Sequence, residues 1–352
     1  MIGKHLIELL LVSLVIGSVS AGVPPGDARR DLGRRLPQIA DAHLPRQIAS
    51  ETVRLLPVAA DRVAGPVLGD GASLGVKVTA ASALVVDRDT GNVLFEKNAD
   101  EVRPIASITK LMTALVFLET HPDPDRIIVI EEADQTPADG AIFRVGDRVT
   151  VRDLLFATLV GSANDAARAL ARASYLEKDE FVQRMNLFAR DLGLEHTRFV
   201  EPTGLDPRNV STARELAELV RAASAQSQIG EAARVPVYHI PGSTKRAAEI
   251  RSTNMLLGSF LNVDPYRIAV AKTGSLDEAG FCMAISVEHG AHGVITVVLG
   301  STNHFSRFED IKALVYWTFT KWQWPDVIPA QAAVQSPIAV EDVSGSPDQV
   351  GG

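Results

Sequence analysis

Cysteine is almost missing from this 352-residue chain: Cys282 stands alone. One thiol permits no internal disulfide and no multi-cysteine metal site, in whatever compartment the chain works. Positive charge is not in excess, since 35 Lys plus Arg face 43 Asp plus Glu for a net charge of −8. No basic block interrupts that balance, which excludes RNA and DNA as partners. The N-terminal apolar run Leu6–Val19 is broken by Glu8 and is shorter than the roughly 20 residues that span a bilayer. Aromatic residues make up only 5%, yet 46% of the chain is apolar and 22% charged. That composition buries a sizeable core and belongs to neither a disordered tail nor a coiled coil.

Lys4, the apolar run and the small-residue exit Ser18-Val-Ser-Ala21 occur in the order of a secretory signal peptide, so residues 1–21 are expected to direct export. A large core stands in for disulfides in an exported protein of this size. Residues 22–80 are rich in Pro, Ala, Arg and Gly, with Pro24, Pro25, Pro37, Pro45, Pro57 and Pro66 breaking every periodic stretch. They read as an extended or partly helical leader. From Pro325 the chain turns to aperiodic Pro, Ala, Gln, Ser and Gly, a disordered tail.

Between them lies the folded part, 81–324. Ser82–Asp87 and Asn92–Lys97 are β-prone runs joined by the turn signal Arg88-Asp-Thr-Gly91. Ile105–Glu119 is apolar on nearly every side, the pattern of a helix running through the core. Helices are predicted over Val151–Leu159, Asn164–Ala173, Glu180–Leu192 and Thr212–Ala223, the last with Thr212 and Glu215 as a capping box. Strands return at Arg267–Lys272, Gly280–Glu288 and Gly293–Gly300, and a helix over Phe308–Trp322 closes the domain. The expected fold class is α/β (α+β): a five-stranded antiparallel sheet assembled from both ends, flanked by helices, with a helical lobe over about 107–262. Clefts between such lobes are where small ligands bind.

Three elements could carry chemistry. In Ser107-Ile-Thr-Lys110 the hydroxyl and the amine fall three residues apart, on one helix face. A serine oxygen needs a neighbour to take its proton, and an amine whose pKa is pushed down by burial can do so. The lysine sits in an otherwise apolar helix, which sets this S-x-x-K apart from a chance match. Ser162-Ala-Asn164 precedes a helix, where Ser162 is most simply an N-cap; Ser252-Thr-Asn254 and Ser301-Thr-Asn303 have the same form. Lys272-Thr-Gly274 ends a strand, and its glycine lets another backbone approach, for example an extended peptide.

In this order the three triplets resemble the serine penicillin-recognising enzymes. Arg103–Ala114, the hairpin before it, Ser162–Ala167 and Thr203-Gly-Leu205 resemble the D-alanyl-D-alanine carboxypeptidases, the low-molecular-weight penicillin-binding proteins, over about Ala81 to Trp322. The resemblance implies that Ser107 is the nucleophile, Lys110 its base, and Ser162 and Asn164 the groups that shuttle protons and hold the substrate amide. It implies a carboxylate site from Lys272, Thr273 and Gly274 with Arg307, and an oxyanion hole from the N–H groups of Ser107 and Ser275. It further implies peptidoglycan stem peptides as substrate, β-lactam antibiotics as covalent inhibitors, a secreted or periplasmic location without a stable membrane anchor after signal cleavage, and no metal or cofactor.

Other readings compete. Phe199–Leu205 and Asn209–Ala213 resemble the endopeptidase branch, which cuts peptide crosslinks. Glu201 is placed somewhat like the deacylating glutamate of class A β-lactamases, although the full E-x-x-L-N pattern is missing and a structural loop carboxylate is the simpler expectation. A non-catalytic cell-wall-binding module would not need all three motifs. Gly71-Ala-Ser-Leu-Gly75 matches the nucleophile-elbow pattern but precedes a strand, so it reads as a loop. His289 and His292 read as solvated turn residues, and Cys282, in an apolar strand, as buried and inert.

Overall fold

The computed structural model describes residues 65–69, 75–135, 142–240 and 248–325. The expected signal peptide, most of the leader, the Gly71–Gly75 loop apart from Gly75, and the tail beyond Pro325 lie outside these residues.

Among the described residues, β1 (Ser82–Asp87), β2 (Val93–Lys97), β3 (Tyr266–Leu276), β4 (Gly280–His289) and β5 (His292–Ser301) form one antiparallel sheet. Its order is β3-β4-β5-β1-β2, so both ends of the domain build it, as the order of two early strands, a helical insertion and three late strands predicts. The side-chain period of two sends alternate residues to opposite faces. Ala83, Val85, Met283, Ile285, Val294 and Val298 pack with Ile311, Leu314 and Val315 of the closing helix, Ser306–Lys321. Leu84, Val86, Ala284, Ile295 and Val297 face the other core, among the helices of the insertion.

That insertion contains α1 (Thr109–Leu118), α2 (Val151–Val160), α3 (Asn164–Ala173), α4 (Lys178–Asp191), α5 (Ala213–Ser224) and α6 (Ser227–Ala233); the closing helix is α7. Every residue of α1 is buried, lysine included, which is why its sequence lacks a polar face. Helix α5 lies against β1, β4 and β5, so the insertion also supplies the cover of the sheet's second face. The insertion is not purely helical: Ile127–Val129 pairs with Arg148–Thr150, and Val237–Ile240 with Ala248–Arg251. Among the described residues no helix is long and apolar enough to cross a membrane.

Four local expectations change. Thr212 Oγ1 accepts from the Glu215 N–H at 3.1 Å, but the Glu215 carboxylate turns away to the His196 N–H and the Thr197 hydroxyl, so the cap is one-sided. The third strand does not end at Lys272 but continues to Leu276, carrying Lys272-Thr-Gly-Ser275 within the ladder. His289 and His292 are half-buried rather than solvated, stacked on Phe319 and Trp324. Described residues ahead of Ala81 also contribute: Val67–Leu68 pairs with Trp322–Gln323. Buried Asp310 accepts from the N–H groups of Thr79 and Ala80 and the hydroxyls of Thr79 and Ser301. Cys282 is fully buried, and burial pushes its thiol up to about 11, as an inert core residue requires.

Candidate active site

Three segments meet in front of β3: the turn entering α1, the α2–α3 connection and the strand itself. Ser107 sits in the 3-10 turn Ala106–Ile108, and one turn later Lys110 points back at it. Lys110 Nζ lies 3.0 Å from Ser107 Oγ, 2.8 Å from Asn164 Oδ1 and 2.6 Å from the Thr203 carbonyl oxygen. The amine is 0% exposed, and burial lowers its pKa to about 7 against the opposing pull of Glu201 and Asp165. A neutral amine has two N–H donors and one lone pair. The two carbonyl oxygens can only accept, so the donors go to them and the lone pair faces the serine hydroxyl.

The turn is held by close backbone contact. A Cβ on Gly204 would come within 2.0 Å of the Ala106 oxygen, and one on Gly274 within 2.9 Å of the Ile105 oxygen and 3.1 Å of the Ser107 nitrogen. The two glycines therefore let the loop 201–205 and β3 clamp the nucleophile's backbone from two sides. The backbone that Gly274 admits is thus the chain's own. Ala106 takes φ +47°, in the left-handed region, a conformation that costs about 1–2 kcal/mol outside glycine and that only tight surroundings maintain.

Ser162 is not an N-cap. The cap position of α3 belongs to Ala163, while Ser162 follows the end of α2 with φ +58°, where glycine is usual. That conformation accompanies a different engagement: Ser162 Oγ accepts from Lys272 Nζ at 2.8 Å. Lys272 also donates to the Thr273 carbonyl at 3.0 Å and is 1% exposed. Burial first, then the charges of Lys110 and Arg307, pull its pKa well below that of a free lysine. Three basic side chains thus converge, and an anion would relieve their mutual repulsion.

Thr273 is buried and its hydroxyl lies 2.7 Å from that of Thr253. Ser275 is exposed at the outer end of β3. Arg307, on the first turn of α7, reaches back so that Nη1 donates to the Gly274 carbonyl at 3.0 Å. All nine expected residues gather here.

Sequence reading missed two supports, Thr253 and the Thr203 carbonyl, whereas Glu201 is the structural loop carboxylate it expected. Thr253 lies in a triplet that looked like a spare S-x-N; its N–H donates to the Val160 carbonyl at 3.0 Å, tying α2 to β3. Thr203 works through a main-chain oxygen, which no side-chain pattern reveals. Glu201 is the loop organiser: its carboxylate accepts from the Thr203 N–H at 2.7 Å, the Gly204 N–H at 2.5 Å and Asn209 Nδ2 at 2.9 Å. Asn209 in turn reaches Thr109 Oγ1 at 3.2 Å, fastening the loop to α1.

Comparison with known proteins agrees with this geometry. The profile of the family described as D-alanyl-D-alanine carboxypeptidase matches residues 70–303. The D-alanyl-D-alanine endopeptidase of Pseudomonas aeruginosa is 35% identical over 272 residues, 75% of this chain and 85% of that protein. The D-alanyl-D-alanine carboxypeptidase DacF of Bacillus subtilis is 29% identical over 250 residues, 69% of this chain and 63% of DacF. Among solved structures, penicillin-binding protein D2 of Listeria monocytogenes in its cefotaxime-bound form is similar with a TM-score of 0.62 at 33% identity, over 70% of this chain and 100% of that one. The chain therefore belongs to the D-alanyl-D-alanine carboxypeptidase family of serine peptidases, the low-molecular-weight penicillin-binding proteins.

Proposed function

We propose that this serine-type D-Ala-D-Ala carboxypeptidase removes the terminal D-alanine of peptidoglycan stem peptides through an acyl-enzyme on Ser107. The observation that carries this is the buried Lys110 amine, 3.0 Å from the Ser107 hydroxyl and within hydrogen-bond reach of two oxygens that can only accept. Lys110 takes the Ser107 proton as Oγ attacks the carbonyl between the two D-alanines. The negative charge that develops on the carbonyl oxygen falls to the N–H groups of Ser107 and Ser275. Ser162 accepts from Lys272, which leaves its own hydrogen to donate, so it can give that hydrogen to the departing D-alanine amine and take in its place the proton that Lys110 received from Ser107, which returns Lys110 to its neutral form. Water then cleaves the ester, with Lys110 again as base. Lys272, Thr273 and Arg307 receive the terminal carboxylate, Gly274 lets β3 pack against the Ser107 turn, and Asn164 holds the substrate amide while steadying Lys110. β-Lactams would acylate Ser107 by the same first step.

In this reading residues 81–324, joined by the Val67–Leu68 strand and the Thr79–Ala80 segment ahead of them, are the catalytic domain, with its helical lobe over about 107–262, and residues 1–21 direct export to the periplasm or beyond. The 35% identity to an endopeptidase favours a second reading, cleavage of crosslinked stem peptides by the same chemistry with a different leaving group. A class A β-lactamase is disfavoured, because the Glu201 carboxylate is occupied by its own loop. A fluorescent penicillin should label the purified protein and not Ser107→Ala. Release of D-alanine from a D-Ala-D-Ala pentapeptide supports the first reading, and cleavage of crosslinked muropeptide dimers alone supports the second. Equal labelling of both proteins would reduce the chain to a binding module.

A further inference from the structure

The guanidinium of Arg307 is 3% exposed and sits among aromatic rings, 4.8 Å above Phe308 and 5.6 Å above Phe281. Burial lowers its pKa to about 10, still far above neutrality, so it remains a cation. A buried cation needs its N–H groups directed, and two are: Nη1 donates to the Gly274 carbonyl, and Nη2 donates at 3.1 Å to Nδ1 of His304, three residues earlier in the turn that leads into α7. His304 itself is exposed and touches the rings of Phe281, Phe305 and Phe308. To accept at Nδ1 its ring must be neutral, with the hydrogen on Nε2. Burial and the neighbouring Arg307 charge lower the His304 pKa, in keeping with that form.

Each terminal nitrogen of a guanidinium carries two hydrogens. With one on Nη1 held by Gly274 and one on Nη2 held by His304, one on each nitrogen is left, enough for a bidentate carboxylate. We infer that His304 is a positioning residue, which fixes the plane of Arg307 so that the two remaining donors on its terminal nitrogens face the terminal carboxylate of the substrate. The inference rests on the reading of Arg307 as a carboxylate anchor given above. It assigns His304 a part in recognising that carboxylate and none in the bond-breaking step.

The test compares an N-acylated tripeptide ending in D-Ala-D-Ala with the same peptide carrying a C-terminal amide. His304→Ala should raise KM for the acid by about ten- to a hundredfold, the worth of one charge-assisted hydrogen bond, with kcat changed less than about twofold. His304→Gln, which offers an amide oxygen in place of Nδ1, should restore most of the loss. The amide substrate, with no carboxylate to orient, should be hydrolysed equally by all three proteins. An unchanged or lowered KM for the acid in His304→Ala overturns the inference, as does an equal loss for the amide. Labelling by saturating fluorescent penicillin separates the levels: labelled wild type with an insensitive His304 rejects only the positioning role, whereas unlabelled wild type rejects the peptidase reading and the positioning role with it.

Discussion

The backbone carbonyl of Thr203 accepts a hydrogen bond from Lys110 Nζ at 2.6 Å, across 93 residues of sequence. Together with Asn164 Oδ1 it absorbs the donors of the amine, and so orients the lone pair toward Ser107. The base is defined as much by a main-chain oxygen as by its own side chain.

Lys110 should therefore govern the pH profile. Its pKa is lowered to about 7, and the neutral form is the base, so kcat/KM should rise about tenfold per unit below that value and level off above it. Lys110→Arg, which cannot lose its proton, should slow acylation by about 10³-fold. The same group affects stability. Between about 7 and the ordinary 10.5 the unfolded chain holds the proton and the folded one does not, so this contribution to stability rises with pH across that window. Below it both states are charged and the folded state carries the full burial penalty. Urea denaturation at several pH values should show Lys110→Met less dependent on pH than wild type in this range.

Glu201→Ala should remove the carboxylate that gathers the N–H groups of Thr203 and Gly204 with Asn209. Hydrogen bonds to a charged group contribute about 1.5–3 kcal/mol each, though not additively. We expect a loss of about 2–4 kcal/mol in denaturant unfolding and slower acylation by penicillin. Normal acylation with an acyl-enzyme that no longer turns over would instead make Glu201 a deacylation base and restore the β-lactamase reading.

Gly204→Ala is the sharper probe of the clamp. With φ +85° and a Cβ only 2.0 Å from the Ala106 oxygen, the substitution must push the Ser107 turn away from the loop. Penicillin acylation should fall by about 100-fold or more, the order of loss expected from a misplacement near 1 Å. Gly193→Ala provides the control: φ is similar at +75°, but nothing lies within 4 Å. It should cost about 1 kcal/mol of conformational energy and leave acylation intact.

Much of this was legible in the sequence because it depends on side chains in a pattern. Ser82–Asp87, Gly280–Glu288 and Gly293–Gly300 are near-continuous β-prone apolar runs, and the structure has strands there within a residue or so, buried on both faces. The lysine in an apolar helix announced Lys110, and burial of the whole of α1 is the reason it did. What escaped has no periodic signature. The strand through Lys272-Thr-Gly274 looked shorter because a glycine and a lysine interrupt its β-prone pattern, although tight packing on the Ser107 turn keeps it in the ladder. Pairings of two to four residues, such as Ile127–Val129 with Arg148–Thr150, are too short to alternate visibly. Ser162 looked like a cap because serine before a helix normally is one; its left-handed backbone can be known only from the bond to Lys272.

The antiparallel pairing of Val67–Leu68 with Trp322–Gln323 brings the first and last described segments of the domain side by side. Entrance and exit of the polypeptide therefore share one doorway beside α7, and Asp310 bolts it by gripping Thr79 and Ala80. Trimming the chain back to Ala81 would strip a neighbour from the outermost turn of α7 and leave Asp310 holding only Ser301. A minimal catalytic fragment should accordingly start ahead of Gly65, although no catalytic side chain lies within about the first hundred positions of the sequence.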